Sequence, residues 1–133
     1  MMKSVITKIG KTPYKTEIHI QPHILVVDEP KDVGGQDLGP APAELLLSSL
    51  GSCKAITMRM YADRKKWDLD AVEISLSISK QKGELQDTNF IKCHIRLDGD
   101  LDEEQRRRLL AIADKCPIHK ILSNPIVIES NLI

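Results

Sequence analysis

Hydrophobic and polar positions along the chain change period several times, and each change marks an element. Val5-Ile6-Thr7-Lys8-Ile9 is rich in β-branched residues, and Gly10-Lys11-Thr12-Pro13 is turn-like. Tyr14 to Ile20 then alternates, with Glu17, His19 and Gln21 opposite Ile18 and Ile20, before Gln21-Pro22-His23 turns into Ile24-Leu25-Val26-Val27. Period-two runs bounded by turn residues predict an antiparallel meander of strands. Asp28 to Pro42, with three prolines and three glycines, reads as a loop. From Ala43 to about Lys66 the period becomes helical: Leu46, Leu47, Leu50, Cys53, Thr57, Met58 and Tyr61 recur at spacings of three and four. Pro42 suits the first turn of that helix.

The N-terminal half of this helix is almost entirely apolar or small, and charge gathers at Arg59, Asp63, Arg64, Lys65 and Lys66. A helix apolar around most of its girth needs cover from several sides, which a second subunit would supply. Asp70 to Lys80 alternates again, with Val72, Ile74, Leu76 and Ile78 on one face; Lys82-Gly83-Glu84 turns the chain, and Asn89 to Leu97 returns with Ile91, Cys93, Ile95 and Leu97 inward. Asp102-Glu103-Glu104 opens a second helix, its acidic first turn matching the positive helix end. That helix extends to about Cys116, where Pro117 stops it or starts another turn, and Pro125 to Glu129 closes the chain as a strand. The order β-β-β-α-β-β-α-β predicts an α+β fold in a single domain over residues 1–133.

Composition narrows the function. Lysine plus arginine and aspartate plus glutamate both number 19, so the net charge is zero, which argues against a dedicated nucleic-acid binder. Tyr14, Tyr61, Trp67 and Phe90 are the only aromatic residues, too few for a base-stacking platform. No apolar run approaches the ~20 residues of a membrane helix, and the N-terminus has no apolar signal core, so a cytoplasmic protein is expected. The 3 cysteines, Cys53, Cys93 and Cys116, are an odd set that fits no secreted disulfide framework.

Cys53 lies on the apolar face of the central helix, in Leu50-Gly51-Ser52-Cys53. It reads either as a small buried hydrophobe or as the centre of a small pocket. Gly51 costs about 1 kcal/mol in a helix relative to Ala, so something should pack closely against the backbone there, and Ser48, Ser49 and Ser52 would wall such a pocket. Cys116 is either a last-turn residue packed under a sheet or, if Pro117 starts a short helix, its cap, where backbone amides favour a thiolate. Cys93 reads as plain strand core. Cys116 and His119 have ligand-like spacing, but no second close pair completes a metal site, and Gly34, Gly35 and Gly39 lack the spacing of a phosphate loop. No metal and no cofactor is expected.

His23 to Pro30, then Gly34-Gly35 and Asp37-Leu38-Gly39-Pro40-Ala41-Pro42, resemble the loop before the central helix in the OsmC-like (OsmC/Ohr) family. Glu44-Leu45-Leu46-Leu47, Leu50-Gly51-Ser52-Cys53 and Met58-Arg59-Met60-Tyr61-Ala62 resemble that helix, and Lys115-Cys116-Pro117-Ile118-His119-Lys120 resembles the family's second cysteine motif. The nearest branch is the redox-protein group related to the OsmC domain of hydrolase fusions. The resemblance implies an intertwined homodimer with a long central helix packed between sheets. It also implies a thiol peroxidase for organic hydroperoxides, in which Cys53 forms a sulfenate, Cys116 resolves it as a disulfide, and a cellular dithiol reduces the product. In the best-studied branch an arginine of the N-terminal strands and a glutamate just after the loop proline hold the thiolate. Here no arginine precedes Arg59, and the acid is Glu44 rather than residue 43, a helical rotation of about 100°. Either lysine or histidine then supplies the positive charge, with His19, His23 and His119 as candidates, or Cys53 is only weakly acidic. The alternative is a non-catalytic protein binding a small molecule or electrophile on the same scaffold; a general disulfide oxidoreductase is disfavoured because no Cys-x-x-Cys is present.

Overall fold

The computed structural model describes residues 4–133. Its order is β1 (Ile6–Ile9), β2 (Thr16–Ile20), β3 (His23–Val27), a 3-10 turn over Lys31–Val33, α1 (Pro42–Lys65), β4 (Asp68–Gln81), β5 (Thr88–Asp100), α2 (Glu103–Ala113) and α3 (Pro117–Leu122). The α+β class is as expected. Its contacts gather in two compact units, Met1–Leu46 and Leu47–Ile133.

In the first unit the three strands form the antiparallel meander β1-β2-β3, with Ile18 paired to both Thr7 and Leu25. The loop after β3 is organised by one side chain. Asp28, 1% exposed, accepts backbone N–H bonds from Tyr14 and Glu29 on Oδ1 and from Gln36 and Leu38 on Oδ2. A loop rich in Gly and Pro lacks a ladder for its own amides, and this carboxylate takes their place.

In the second unit β4 and β5 form a long antiparallel hairpin, with Leu76 opposite Cys93 and Ile74 opposite Ile95. Met58, Ala62, Leu69, Leu109 and Ala113 form its core, and Val72, Ile74, Ile95 and Leu97 pack against them. The α2 helix starts at a full capping box: Gln105 N donates to the Asp102 carboxylate, and Asp102 N donates to Gln105 Oε1. It ends at Ala113, short of Cys116, and the chain restarts at Pro117 as α3. The expected closing strand does not form: residues 125–129 carry no strand, with Val127 and Ile128 exposed. A strand needs a neighbouring row of backbone donors and acceptors, and no described strand of this chain pairs with that segment.

Candidate active site

The site is assembled from the middle of α1, the end of α2 and the start of α3, all in the second unit. The buried stripe of α1 in this unit contains Leu50, Lys54, Met58 and Ala62, each four residues from the last, with Gly51 beside it. At Gly51 a Cβ would stand 2.7 Å from Leu76 Cδ1. The missing side chain therefore lets β4 approach the helix next to Cys53, which answers the expectation of close packing there.

Cys53 itself is half-buried. With Ser49, Ser52, Ile56, Met60 and Pro117 it borders a pocket of about 450 Å³. Ser52 turns its hydroxyl back onto the helix, donating to the Ser48 carbonyl at 2.8 Å. That leaves the walls dominated by aliphatic and thioether carbon.

Cys116 is completely buried and caps α3, with Pro117 in the first turn and His119 N donating to its Sγ at 3.3 Å. Of the two readings open from the sequence, the cap is the one adopted. Its electrostatic consequence differs from expectation. Burial pushes the Cys116 thiol up; the His119 N–H and the Lys54 charge oppose this, while hydrogen-bonding contact with the Cys53 side chain adds to it, and the net shift is upward. Cys116 thus holds its proton more tightly than an ordinary thiol, with the Cys53 side chain contributing to that shift. All three cysteines are free thiols.

The residue that sequence reasoning missed is Lys54. It is 2% exposed, and its ammonium donates to three acceptors: Ala113 O at 3.2 Å, Asp114 Oδ1 at 3.0 Å and His119 Nδ1 at 2.8 Å. Burying an ammonium costs several kcal/mol. Hydrogen bonds to charged groups return about 1.5–3 kcal/mol each, and the Ala113 carbonyl belongs to the negative end of α2. An ammonium only donates, so His119 Nδ1 accepts and the ring proton sits on Nε2. Asp114 Oδ1, 3.7 Å from the same nitrogen, is too distant to compete. The signal was present in the sequence: Lys54 falls on the i, i+4, i+8 stripe from Leu50 to Met58, directly after Cys53.

The other expected residues fall as follows. Glu44 lies in the first turn of α1, more than two helical turns before Cys53, and accepts from Ala41 N at 2.8 Å, closing the helix N-terminus. His19 faces Glu17, with Nε2 to Oε1 at 3.1 Å, and His23 is exposed at the start of β3. His119 is part of the Lys54 cluster. Cys93, expected as plain core, is half-buried and borders a second cavity of about 350 Å³ together with Lys54 and His119. Among the described residues, no three His, Cys, Asp or Glu side chains converge as metal ligands would. Among the described residues, no helix is long and apolar enough to cross a membrane.

Several solved structures share this fold. An OsmC like protein from Mycoplasma pneumoniae superposes with a TM-score of 0.78 at 16% identity, covering 92% of this chain and 88% of that one. The organic hydroperoxide resistance protein OsmC from Legionella pneumophila gives 0.68 at 21% identity, covering 92% and 90%. The organic hydroperoxide resistance protein OhrB of Bacillus subtilis gives 0.65 at 20% identity, covering 91% and 90%. No curated protein matches the chain. The family model for OsmC-like protein matches residues 34–131, a span that takes in the later part of the ordered loop, the central helix and both cysteine motifs, and on that match the chain belongs to the OsmC-like family.

Proposed function

We propose that the protein is a thiol peroxidase acting on organic hydroperoxides, with Cys53 as the attacking sulfur and Cys116 as the resolving thiol. The observation that carries this reading is the side-chain contact between Cys53 and a protonated, fully buried Cys116 beside a buried ammonium. The Cys53 thiolate attacks the terminal oxygen of the hydroperoxide. An S–O bond forms, the O–O bond breaks, and the alkoxide leaves with the electron pair and takes a proton from solvent. Cys116 then attacks the Cys53 sulfenic acid: the S–S bond forms, the S–O bond breaks, and the hydroxyl leaves as water with the Cys116 proton. A cellular dithiol reduces the disulfide, restoring both thiols and becoming a disulfide itself.

Lys54 is the buried cation of this scheme, and it acts on Cys116 rather than on the attacking sulfur. Its charge favours ionisation of Cys116, the species required for the second step. The walls formed by Ile56, Met60 and Pro117 favour an alkyl or aryl hydroperoxide over hydrogen peroxide by burial of carbon. Ile56 and Met60 are 53% and 58% exposed, and Ile6, Ile9 and Ile24 of the first unit are also open to water. A second copy of the chain would cover such surface, which supports a homodimer. Three free thiols suit a reducing, cytoplasmic setting. The names of the Legionella and Bacillus neighbours are in line with the substrate class.

The test is mass spectrometry of the reduced protein after stoichiometric cumene hydroperoxide, with hydrogen peroxide in parallel. Loss of two hydrogens, mapped to a Cys53–Cys116 link and faster with the organic peroxide, is the expected result. Cys53→Ser should be inert, and Cys116→Ser should stop at a Cys53 sulfenic acid. A Cys53 that stays a thiol while the peroxide is unconsumed would instead favour a binding protein for a small molecule or electrophile, the reading to which the lack of an arginine before Arg59 points.

A further inference from the structure

Away from the cysteines, a cleft of about 560 Å³ opens beside the C-terminal end of α1. Its aromatic wall is Tyr61 and Trp67, packed edge to face with ring centroids 5.4 Å apart. Three cations crowd the Tyr61 ring: Arg108 at 5.6 Å, Lys65 at 5.8 Å and Arg64 at 5.9 Å from its centroid. Arg108 Nε also donates to the Tyr61 hydroxyl at 3.0 Å, and Arg107 lines the cleft beside it.

The charges there are unbalanced. Arg59, Lys80, Arg96 and Lys54 each find a carboxylate within 4.0 Å, but among the described residues Arg64, Lys65, Arg107 and Arg108 find none. Asp102 and Glu104 border the same cleft against Lys65, Arg107 and Arg108, so its lining keeps one positive charge in excess. Cation–π contacts at exposed sites return only about 0.5–1 kcal/mol each, and like charges on one ring repel, so folding alone gives little reason to gather them. The Arg108 hydrogen bond, opposed by burial and helped by the charges of Arg108, Lys65 and Arg64, holds the Tyr61 phenol below its usual value, a sign of the same positive potential. Guanidinium pairs match the oxygens of a phosphate, and flat aromatic walls match a planar ring. The volume falls within the ~300–1,000 Å³ of small-molecule sites.

We propose that this cleft binds a planar organic phosphate, its phosphate oxygens on Arg107 and Arg108 and its ring against Trp67 and Tyr61. The site shares no lining residue with the Cys53 pocket, so it stands or falls apart from the peroxidase reading. Trp67 is the only tryptophan, which makes its emission a direct reporter. The full chain is titrated at low salt with adenosine monophosphate, with adenosine, inorganic phosphate and isophthalate as separate arms. Saturable change with the monophosphate, at least about tenfold tighter than with the other three and weakened by salt, is expected. The double variant Arg107→Gln with Arg108→Gln, checked for folding by circular dichroism, should lose about tenfold or more in affinity. Absence of saturation, unchanged affinity in the folded double variant, or binding of isophthalate as tight as that of the monophosphate would each overturn the proposal.

Discussion

Lys54 Nζ lies 2.8 Å from His119 Nδ1, a contact between residues 65 positions apart that joins the centre of α1 to the first turn of α3. It sets the cation close to the thiol that caps α3. Replacing Lys54 by Met keeps the unbranched stem and removes the charge. The Cys116 thiol, already raised by burial and by Cys53, should then rise further, and disulfide formation at neutral pH should slow several-fold because less of the attacking thiolate is present. The alkylation rate of Cys116 against pH, mapped by mass spectrometry, reads the first effect, and rapid quench after peroxide addition reads the second. Thermal unfolding of the variant separates a charge effect from a loss of structure.

Asp28 gives a pH prediction with a definite sign. Burial pushes its carboxyl up, but N–H bonds from Glu29, Leu38, Tyr14 and Gln36 outweigh burial and hold it below the usual carboxylate value. The folded chain therefore takes up this proton less readily than the unfolded chain. The stabilisation is fully present above the ordinary aspartate value of about 3.9 and is lost as pH falls through it and on through the lower folded value. Asp28→Asn puts an amide donor where two N–H groups now point. It should lower the thermal midpoint at neutral pH by several degrees and flatten its decline in acid. Calorimetry from neutral pH into the acid range checks both. An equally steep acid decline in the variant would show that other carboxylates dominate.

Much of this architecture was legible because one period governs each element. The β4–β5 hairpin shows strict alternation from Val72 to Ile78 and from Ile91 to Leu97, and α2 announces itself through Asp102 and Gln105. The closing strand misled because Ile126-Val127-Ile128 has strand composition, while none of the described strands pairs with it. Lys54 was passed over for a related reason. Its acceptors, Ala113, Asp114 and His119, lie 59 to 65 residues away, so no local pattern could reveal that a lysine on an apolar stripe is satisfied. The two cysteines were found through their motifs, whereas the upward net shift of Cys116 depends on its complete burial, a tertiary property.

Gly51 sets two effects against each other. Alanine there gains about 1 kcal/mol of helix propensity, but its Cβ meets the end of the Leu76 side chain at 2.7 Å. A terminal methyl can rotate away, so Gly51→Ala should be within about 1 kcal/mol of neutral. Gly51→Val brings further carbon against β4, where overpacking typically costs about 1–3 kcal/mol. Urea unfolding of both variants measures the difference, and a valine variant as stable as the alanine one would mean that β4 yields readily at this point.

The exposed carbon beside Cys53 yields the last expectation. Ile56 and Met60 are one turn apart on α1 and border the Cys53 pocket, yet more than half of each is open to water. If a second chain covers them, charge at these positions should break the assembly, because burying an unpaired carboxylate costs several kcal/mol. Ile56→Glu with Met60→Glu should therefore sediment as a monomer where the parent chain sediments as a dimer. Both side chains leave the core of Met58, Leu109 and Ala113 untouched, so the variant should keep its circular dichroism. Peroxide consumption should fall with dimer content, since the apolar pocket then lies open to water on one side. A parent chain that is monomeric at high concentration would remove the second subunit, leaving Cys53 to react in an open pocket.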